Sequence, residues 1–330
     1  MTKIAIVGAT GLVGRAVIED VERLNLPYCD AVLLATEKSQ GKKLTLRQKE
    51  YAVKKLTEES FDGVNIALFC AGSEVSKKYA PIAVKKGVTV VDNSSFFRMQ
   101  KDVPLVASEI NFDDVKDSKL IANPNCSTLT AIFALNALKP FGLKSVRYTT
   151  FQSASGAGKS GLDDLERTRR GDKRQFFCAD VSKNVIAKIG EFLPNGYTQE
   201  EEKMQKETQK ILHLPNLMVS ATCVRVPVFY CHAVSVSVEL ERKFDLKDIK
   251  VALKRAQNVV LTDEDNFENF PLADNATKSE KTFVGRVRYD SASSNGVVFF
   301  CVADNLYLGA SSNAVKIAKQ ILGRKNEKIS

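Results

Sequence analysis

Histidine is scarce. Only His213 and His232 occur in 330 residues, so any step that needs an imidazole must use one of those two. The seven cysteines, at positions 29, 70, 126, 178, 223, 231 and 301, are odd in number and lack C-x-x-C spacing. Neither a disulfide framework nor a zinc site is suggested. No run of about 18 apolar residues occurs, and the first residues (Met1-Thr2-Lys3-Ile4-Ala5-Ile6) lack the layout of a secretory signal. A cytoplasmic, reduced protein without membrane contact is expected. Internal repeats, low-complexity segments and long basic tails are missing too, which excludes solenoid, fibrous and disordered classes. The net charge of +9 is spread along the chain, with a local knot at Arg167, Arg169, Arg170, Lys173 and Arg174. That balance suits acidic small molecules at least as well as nucleic acid.

What is present is an ordinary globular composition, 44% hydrophobic and 26% charged, long enough for two domains with separate cores. In the first third, short apolar runs near 3–8, 31–35, 64–70, 88–92 and 119–122 alternate with helical spacing over 12–24, 74–86 and 127–138. That alternation predicts a parallel, doubly wound α/β sheet of Rossmann type. After Pro140 the runs become longer and β-branched (145–152, 217–226, 232–240, 282–289, 297–304), with helices near 161–170, 199–212 and 246–256. These read as a second, α+β domain with a mixed or antiparallel sheet joined by non-crossover connections. The expected division is a dinucleotide-binding domain over 1–127, completed by a C-terminal helix at about 308–330, and a catalytic domain over 128–307. Residues 323–330 are expected to fray.

Gly8-Ala9-Thr10-Gly11-Leu12-Val13-Gly14 falls where the first strand meets the first helix. Glycines there let the backbone turn tightly and approach a pyrophosphate, which then faces the free N–H groups of the helix start. After the second strand, Thr36, Lys38 and Ser39 favour a 2′-phosphate and hence NADP. Glu37 argues mildly for a ribose hydroxyl, and a solvated loop is the plain alternative.

Asn123-Pro124-Asn125-Cys126-Ser127-Thr128 runs from a strand through a proline turn into a helix. A thiol at that position meets the positive end of the helix dipole, which favours the thiolate. The other six cysteines read as small core residues. His232 shares a strand face with Val234, Val236 and Val238, while Arg225 ends the row Val219, Ala221, Cys223. A guanidinium entering an apolar face needs an anion. His213 reads as a helix C-terminal residue. On spacing alone, Glu207 and Lys210 are a solvated i, i+3 pair.

Taken together and in order, these blocks resemble the aspartate-semialdehyde dehydrogenase family over nearly the whole chain. The matching stretches also include Asp92-Asn93-Ser94-Ser95-Phe96-Phe97-Arg98, Gln152-Ser153-Ala154-Ser155-Gly156-Ala157-Gly158, Glu207-Thr208-Gln209-Lys210, Cys223-Val224-Arg225-Val226-Pro227, Phe283-Val284-Gly285-Arg286 and Asp304-Asn305-Leu306. The resemblance implies NADP-dependent reductive dephosphorylation of L-4-aspartyl phosphate to L-aspartate 4-semialdehyde, a step of lysine, threonine and methionine biosynthesis. It also implies a homodimer or homotetramer acting on small molecules only.

By the same resemblance Cys126 is the nucleophile, His232 the acid/base and Gln152 the residue that orients the acyl intermediate. Arg225 would bind the substrate carboxylate and Glu207 its ammonium, with Arg98, Asn125 and Lys210 on the phosphate. Gly8, Thr10, Gly11, Leu12, Val13, Gly14, Thr36, Lys38, Ser39, Ser155, Gly156 and Asn305 would hold the cofactor. The pattern departs at Leu308, where many members carry lysine, and over 171–194, which matches poorly. An N-acetyl-glutamyl-phosphate reductase would share the cradle, Cys and His, but an acid placed for a free ammonium argues against it. A non-catalytic nucleotide-binding relative is opposed by the presence of both Cys126 and His232.

Overall fold

In the computed structural model, which describes residues 2–263 and 268–327, the chain divides into two units, Met1–Pro124 with Ala310–Ser330, and Asn125–Gly309. Among the described residues no helix is long and apolar enough to cross a membrane.

The first unit is built on a six-stranded sheet. Its strands are β1 (Lys3–Val7), β2 (Asp30–Ala35), β5 (Lys54–Lys55), β6 (Ile66–Phe69), β7 (Thr89–Asp92) and β8 (Leu120–Ala122). A separate hairpin, β3 (Lys43–Leu46) with β4 (Lys49–Ala52), carries too weak an apolar alternation to stand out in the sequence. The order β5-β2-β1-β6-β7-β8 is parallel throughout. Ile4, Ala5, Ile6 and Val7 are all buried, as a central strand covered on both faces requires. Helices α1 (Leu12–Arg23) and α2 (Ser73–Lys85) follow β1 and β6. The strand order reverses at β1, so the crevice at its C-terminal end is the topological switch point of this unit.

The chain's last helix, Asn313–Glu327, belongs to this unit, with Ala314, Val315, Ile317 and Ala318 in one core with Val17 and Val21 of α1. The fraying expected from residue 323 does not begin there. The helix continues past Gly323 to Glu327, and 328–330 lie outside the described residues.

The second unit opens with α3 (Cys126–Leu138), buried on nearly every side, and then β9 (Leu143–Gln152), α4 (Gly158–Arg169) and α5 (Gln199–Leu212). It continues with β10 (Met218–Arg225), β11 (His232–Leu240), α6 (Leu246–Arg255), β12 (Val259–Leu261), α7 (Ala273–Ala276), β13 (Thr282–Tyr289) and β14 (Gly296–Ala303). Its sheet runs β10-β9-β11-β14-β13-β12 and is mixed. The expected non-crossover connection is found at the β13–β14 hairpin, but β12 and β13 pair in parallel, and so do β9 and β10. Parallel neighbours need a crossover, and α4, residues 171–198 and α5 make up the one between β9 and β10.

Register brings four strand ends to one edge. Gln152 pairs with Arg225, and His232 pairs with Ala303. The C-terminal ends of β9, β10 and β14 therefore meet the N-terminal end of β11.

Candidate active site

Asn125 caps α3, its side-chain oxygen accepting the Ser127 N–H at 2.8 Å, so Cys126 is the first residue of the helix. The Cys126 Sγ lies 3.2 Å from Nε2 of His232. Cys126 is partly exposed, whereas Cys223, Cys231 and Cys301 of the same unit are buried and their thiols are pushed well up by desolvation. One sulfur of this unit thus combines access, a helix start and an imidazole partner.

His232 is fully buried, on the same strand face as Val234, Val236 and Val238. Burial depresses its pKa to about 3, with the positive charge of Arg225 adding to the effect and Glu200 opposing it. The ring is therefore neutral at pH 7. Cys231, just before it, has a left-handed backbone (φ 67°), a conformation that a non-glycine residue keeps only when neighbours hold it. Its N–H donates to Oδ1 of Asn305 at 3.0 Å. The same oxygen accepts the hydroxyls of Ser153 and Ser155, each at 3.0 Å.

Arg225 is buried, and loss of hydration lowers its pKa from the usual guanidinium value. Its backbone is fixed by reciprocal 2.9 Å bonds with Ile186, and Nη1 donates to the carbonyl of Ser153. The segment 171–194, poorly matched in sequence, is thus tied to the site: Phe177, Val181 and Ile186 pack with Ala154 and Leu165. A Cβ on Gly156 would come within 2.9 Å of Cε1 of His232 and 3.0 Å of Nη1 of Arg225. Glycine is there for want of space between two site residues.

One carboxylate of the site escaped the sequence reading. Oε1 of Glu200 accepts Nδ2 of Asn125 at 2.9 Å and Nε2 of Gln152 at 3.2 Å, and Oε2 pairs with Nζ of Lys203 at 3.0 Å. Burial alone would raise its pKa, but the Lys203 charge and these three donors outweigh it and bring it down to about 2. Glu207, expected at the substrate, is fully buried, with Oε2 accepting the backbone N–H of Asn125 at 2.7 Å. Lys210 stands at the far end of α5, ten residues and roughly 15 Å of helix from Glu200. The missed signal was the pair Glu200 and Lys203, one helical turn apart just after the Thr198–Glu201 capping box that starts α5.

In the first unit, a cleft of about 340 Å³ is lined by Val7, Gly8, Thr10, Gly11, Ala35, Thr36, Glu37, Lys55, Cys70, Ala71 and Tyr79, among others. It sits at the C-terminal ends of β1, β2 and β6. A Cβ on Gly14 would collide with the Gly8 carbonyl, and one on Gly8 (φ 83°) would come within 2.7 Å of the Cys70 carbonyl. The glycines therefore keep backbone at close range beneath the cleft. Leu12 and Val13 are the first residues of α1; neither lines the cleft, and Val13 packs against the core. Thr10 and Ser39 hydroxyls are 3.2 Å apart, Lys38 is exposed beside them, and Lys55 pairs with Glu37 at 3.1 Å, a cation the sequence did not flag. Arg98 is buried in this unit and donates to the Asn93 carbonyl at 2.8 Å. Leu308, the departure from the expected lysine, is a buried core residue of the second unit.

The chain is similar to known proteins over nearly its whole length. Residues 3–118 match the family model of the semialdehyde dehydrogenase NAD binding domain, and residues 135–308 that of the semialdehyde dehydrogenase dimerisation domain. Aspartate-semialdehyde dehydrogenase of Aquifex aeolicus is 44% identical over 97% of this chain and 98% of its own length. That of Campylobacter jejuni is 43% identical, over 98% of each. A crystal structure of aspartate semialdehyde dehydrogenase II from Vibrio cholerae complexed with ASA superposes with a TM-score of 0.93 at 39% identity, covering 98% of both chains. With identity of this order over the full length, and a parallel nucleotide-binding sheet and a mixed-sheet unit in the expected order, the chain belongs to the aspartate-semialdehyde dehydrogenase family.

Proposed function

We propose that this protein is a cytoplasmic, NADP-dependent oxidoreductase that converts L-4-aspartyl phosphate to L-aspartate 4-semialdehyde and phosphate, with Cys126 as the nucleophile. The observation that carries the reading is the 3.2 Å approach of a helix-start thiol to a buried, neutral imidazole. Attack of the Cys126 thiolate on the acyl phosphate expels phosphate and leaves a thioester on Sγ. A thioester is a good hydride acceptor because sulfur donates weakly into its carbonyl. Backbone N–H groups at the start of α3 face the oxyanion that develops. His232 manages the proton exchanged with sulfur and with the collapsing adduct.

The buried guanidinium of Arg225 supplies the planar, two-pronged donor that a substrate carboxylate fits. For the ammonium we assign Glu200 in place of Glu207, because Glu200 reaches both Asn125 and Gln152, whereas Glu207 holds the backbone at the start of α3. Lys203 replaces Lys210 as the lysine for the phosphate, since it lies beside Glu200. Arg98 and Asn125 remain candidates for the same anion, and Gln152 for orienting the acyl group.

NADP fits the backbone-lined cleft at the switch point, where Gly8, Thr10, Gly11, Leu12, Val13 and Gly14 would hold its pyrophosphate. Thr36, Lys38, Ser39 and Lys55 would face the 2′-phosphate. When bound it supplies the hydride. Ser155, Gly156 and Asn305 are retained as nicotinamide-end candidates; Asn305 also anchors the turn before His232. The outer face of the second unit's sheet, with Phe151 and Phe300 half-exposed and 6.0 Å apart, is the face through which two copies would pair.

The test is an assay in the oxidative direction, with aspartate semialdehyde, phosphate and each nicotinamide cofactor in turn. Phosphate-dependent reduction of NADP supports the proposal. Turnover of an N-acetylated, longer semialdehyde in its place overturns it.

A further inference from the structure

Ser153 follows Gln152 at the end of β9, is fully buried, and meets the site with three different groups. Its backbone N–H donates to Nδ1 of His232 at 3.1 Å. Its hydroxyl oxygen lies 3.1 Å from the same nitrogen and donates to Oδ1 of Asn305 at 3.0 Å. Its carbonyl accepts Nη1 of Arg225. We infer that Ser153 is a positioning residue that sets the protonation pattern of His232, through the backbone N–H for the neutral ring and through the hydroxyl for the charged one. This rests on the reading of Cys126 and His232 as the reacting pair.

A backbone N–H aimed at Nδ1 requires a lone pair on that nitrogen. The neutral ring therefore carries its single proton on Nε2, directed at the Cys126 sulfur. In that form His232 is a donor to sulfur or to a substrate oxygen. The charged ring carries a proton on each nitrogen; beside a Cys126 thiolate the pair is neutral overall, but the N–H on Nδ1 then needs an acceptor. Among the described residues, the Ser153 hydroxyl is the acceptor at that position. Its own hydrogen is directed to Asn305, which leaves a lone pair for the ring. Asn305 is itself held by Ser155 and the Cys231 N–H, so the anchor survives loss of the hydroxyl.

The other charged or titratable groups near the ring come from three elements. They are Arg225 at the end of β10, Cys126 at the start of α3 and Glu200 on α5. Asp304, next to Asn305, directs its carboxylate to the N–H groups of Lys278, Leu306 and Tyr307. Removing the Ser153 hydroxyl changes none of them. It leaves the backbone N–H and carbonyl in place and takes away the hydroxyl's share of the support for the imidazolium, the counter-charge of the thiolate, beside the shares of Glu200 and the Cys231 backbone.

The experiment is the pH dependence of Cys126 alkylation by iodoacetamide, read beside steady-state kinetics and melting temperature for wild type and Ser153→Ala. The alkylation midpoint should move up by about one pH unit, the effect of losing a hydrogen bond to a charged group. The kcat should fall about tenfold with KM for aspartate semialdehyde nearly unchanged. Should Ser153→Ala not fold, Ser153→Cys carries the same expectation, because a thiol of similar size is a poor acceptor. An alkylation profile identical to wild type in the folded variant overturns the inference. If instead wild-type Cys126 alkylates with the midpoint of an ordinary thiol and turnover survives the modification, the reacting-pair reading fails first, and with it this one.

Discussion

Oε1 of Glu200 accepts the side-chain amide of Gln152 at 3.2 Å while also holding the Asn125 amide at 2.9 Å, so one buried carboxylate joins the end of β9 to the residue that caps α3. Glu207, two turns along α5, accepts the backbone N–H of Asn125 at 2.7 Å. Glu200→Gln should lower kcat/KM for aspartate semialdehyde by roughly 30- to 100-fold, equivalent to about 2–3 kcal/mol for a lost charge-assisted contact. Glu207→Gln keeps an oxygen for the Asn125 N–H. It should leave kcat/KM within about threefold and lower the melting temperature by a few degrees. Equal kinetic losses in the two variants would remove the distinction.

Acid should destabilise the protein from near pH 6.5 downward. His232 has a folded pKa of about 3, far below its unfolded value, so between those limits the unfolded chain binds the extra proton. Stability therefore rises with pH across that window and is lost on acidification. From pH 6.5 to 5 the loss attributable to this residue is about 2 kcal/mol. Glu200, depressed to about 2, begins to contribute in the same direction only below the ordinary glutamate pKa. Urea unfolding at a series of pH values should show the slope in wild type and a flatter curve between pH 6.5 and 5 in His232→Asn.

Gly156→Ala places a methyl within 3.0 Å of both the His232 ring and the Arg225 guanidinium. Both neighbours are buried and hydrogen-bonded, so neither moves cheaply. Activity should fall at least tenfold, with the melting temperature changed by only a few degrees, since the strain is confined to the site. Full activity in purified Gly156→Ala would mean that the ring and guanidinium have more freedom than their contacts indicate.

Cofactor choice should respond to the β2 end. Lys38→Ala combined with Lys55→Ala should raise KM for NADP about tenfold while changing KM for NAD little, because only the former carries a 2′-phosphate. Initial rates with each cofactor give the ratio. Parallel losses for both would place the 2′-phosphate elsewhere.

The sequence pattern located most elements of both units because apolar runs and helical spacing are local signals. The helix over 199–212 and the strand over 232–240 agree with the structure residue for residue. The β3–β4 hairpin and the two-residue β5 were not legible, since strands of two to four residues, with Leu44 and Leu46 of β3 turned to the core, carry too little apolar alternation to stand out. Cys126, His232 and Arg225 stood out because each breaks a local pattern: a thiol at a helix start, and polar groups ending apolar rows. Glu200 did not, because an acid in the first turn of a helix also favours the dipole and looks ordinary there. Its importance comes from Asn125 and Gln152, 75 and 48 residues away, which only the fold brings to it. Ser153 was hidden for the same reason. Its partners are set by strand register.

The most direct measurement omits phosphate. With aspartate semialdehyde and NADP but no phosphate, the enzyme should form NADPH in a burst of about one per active site and then stop. Mass spectrometry should find a single acyl adduct on Cys126, discharged when phosphate is added. Absence of the burst, or a burst of the same size in Cys126→Ala, would contradict the account.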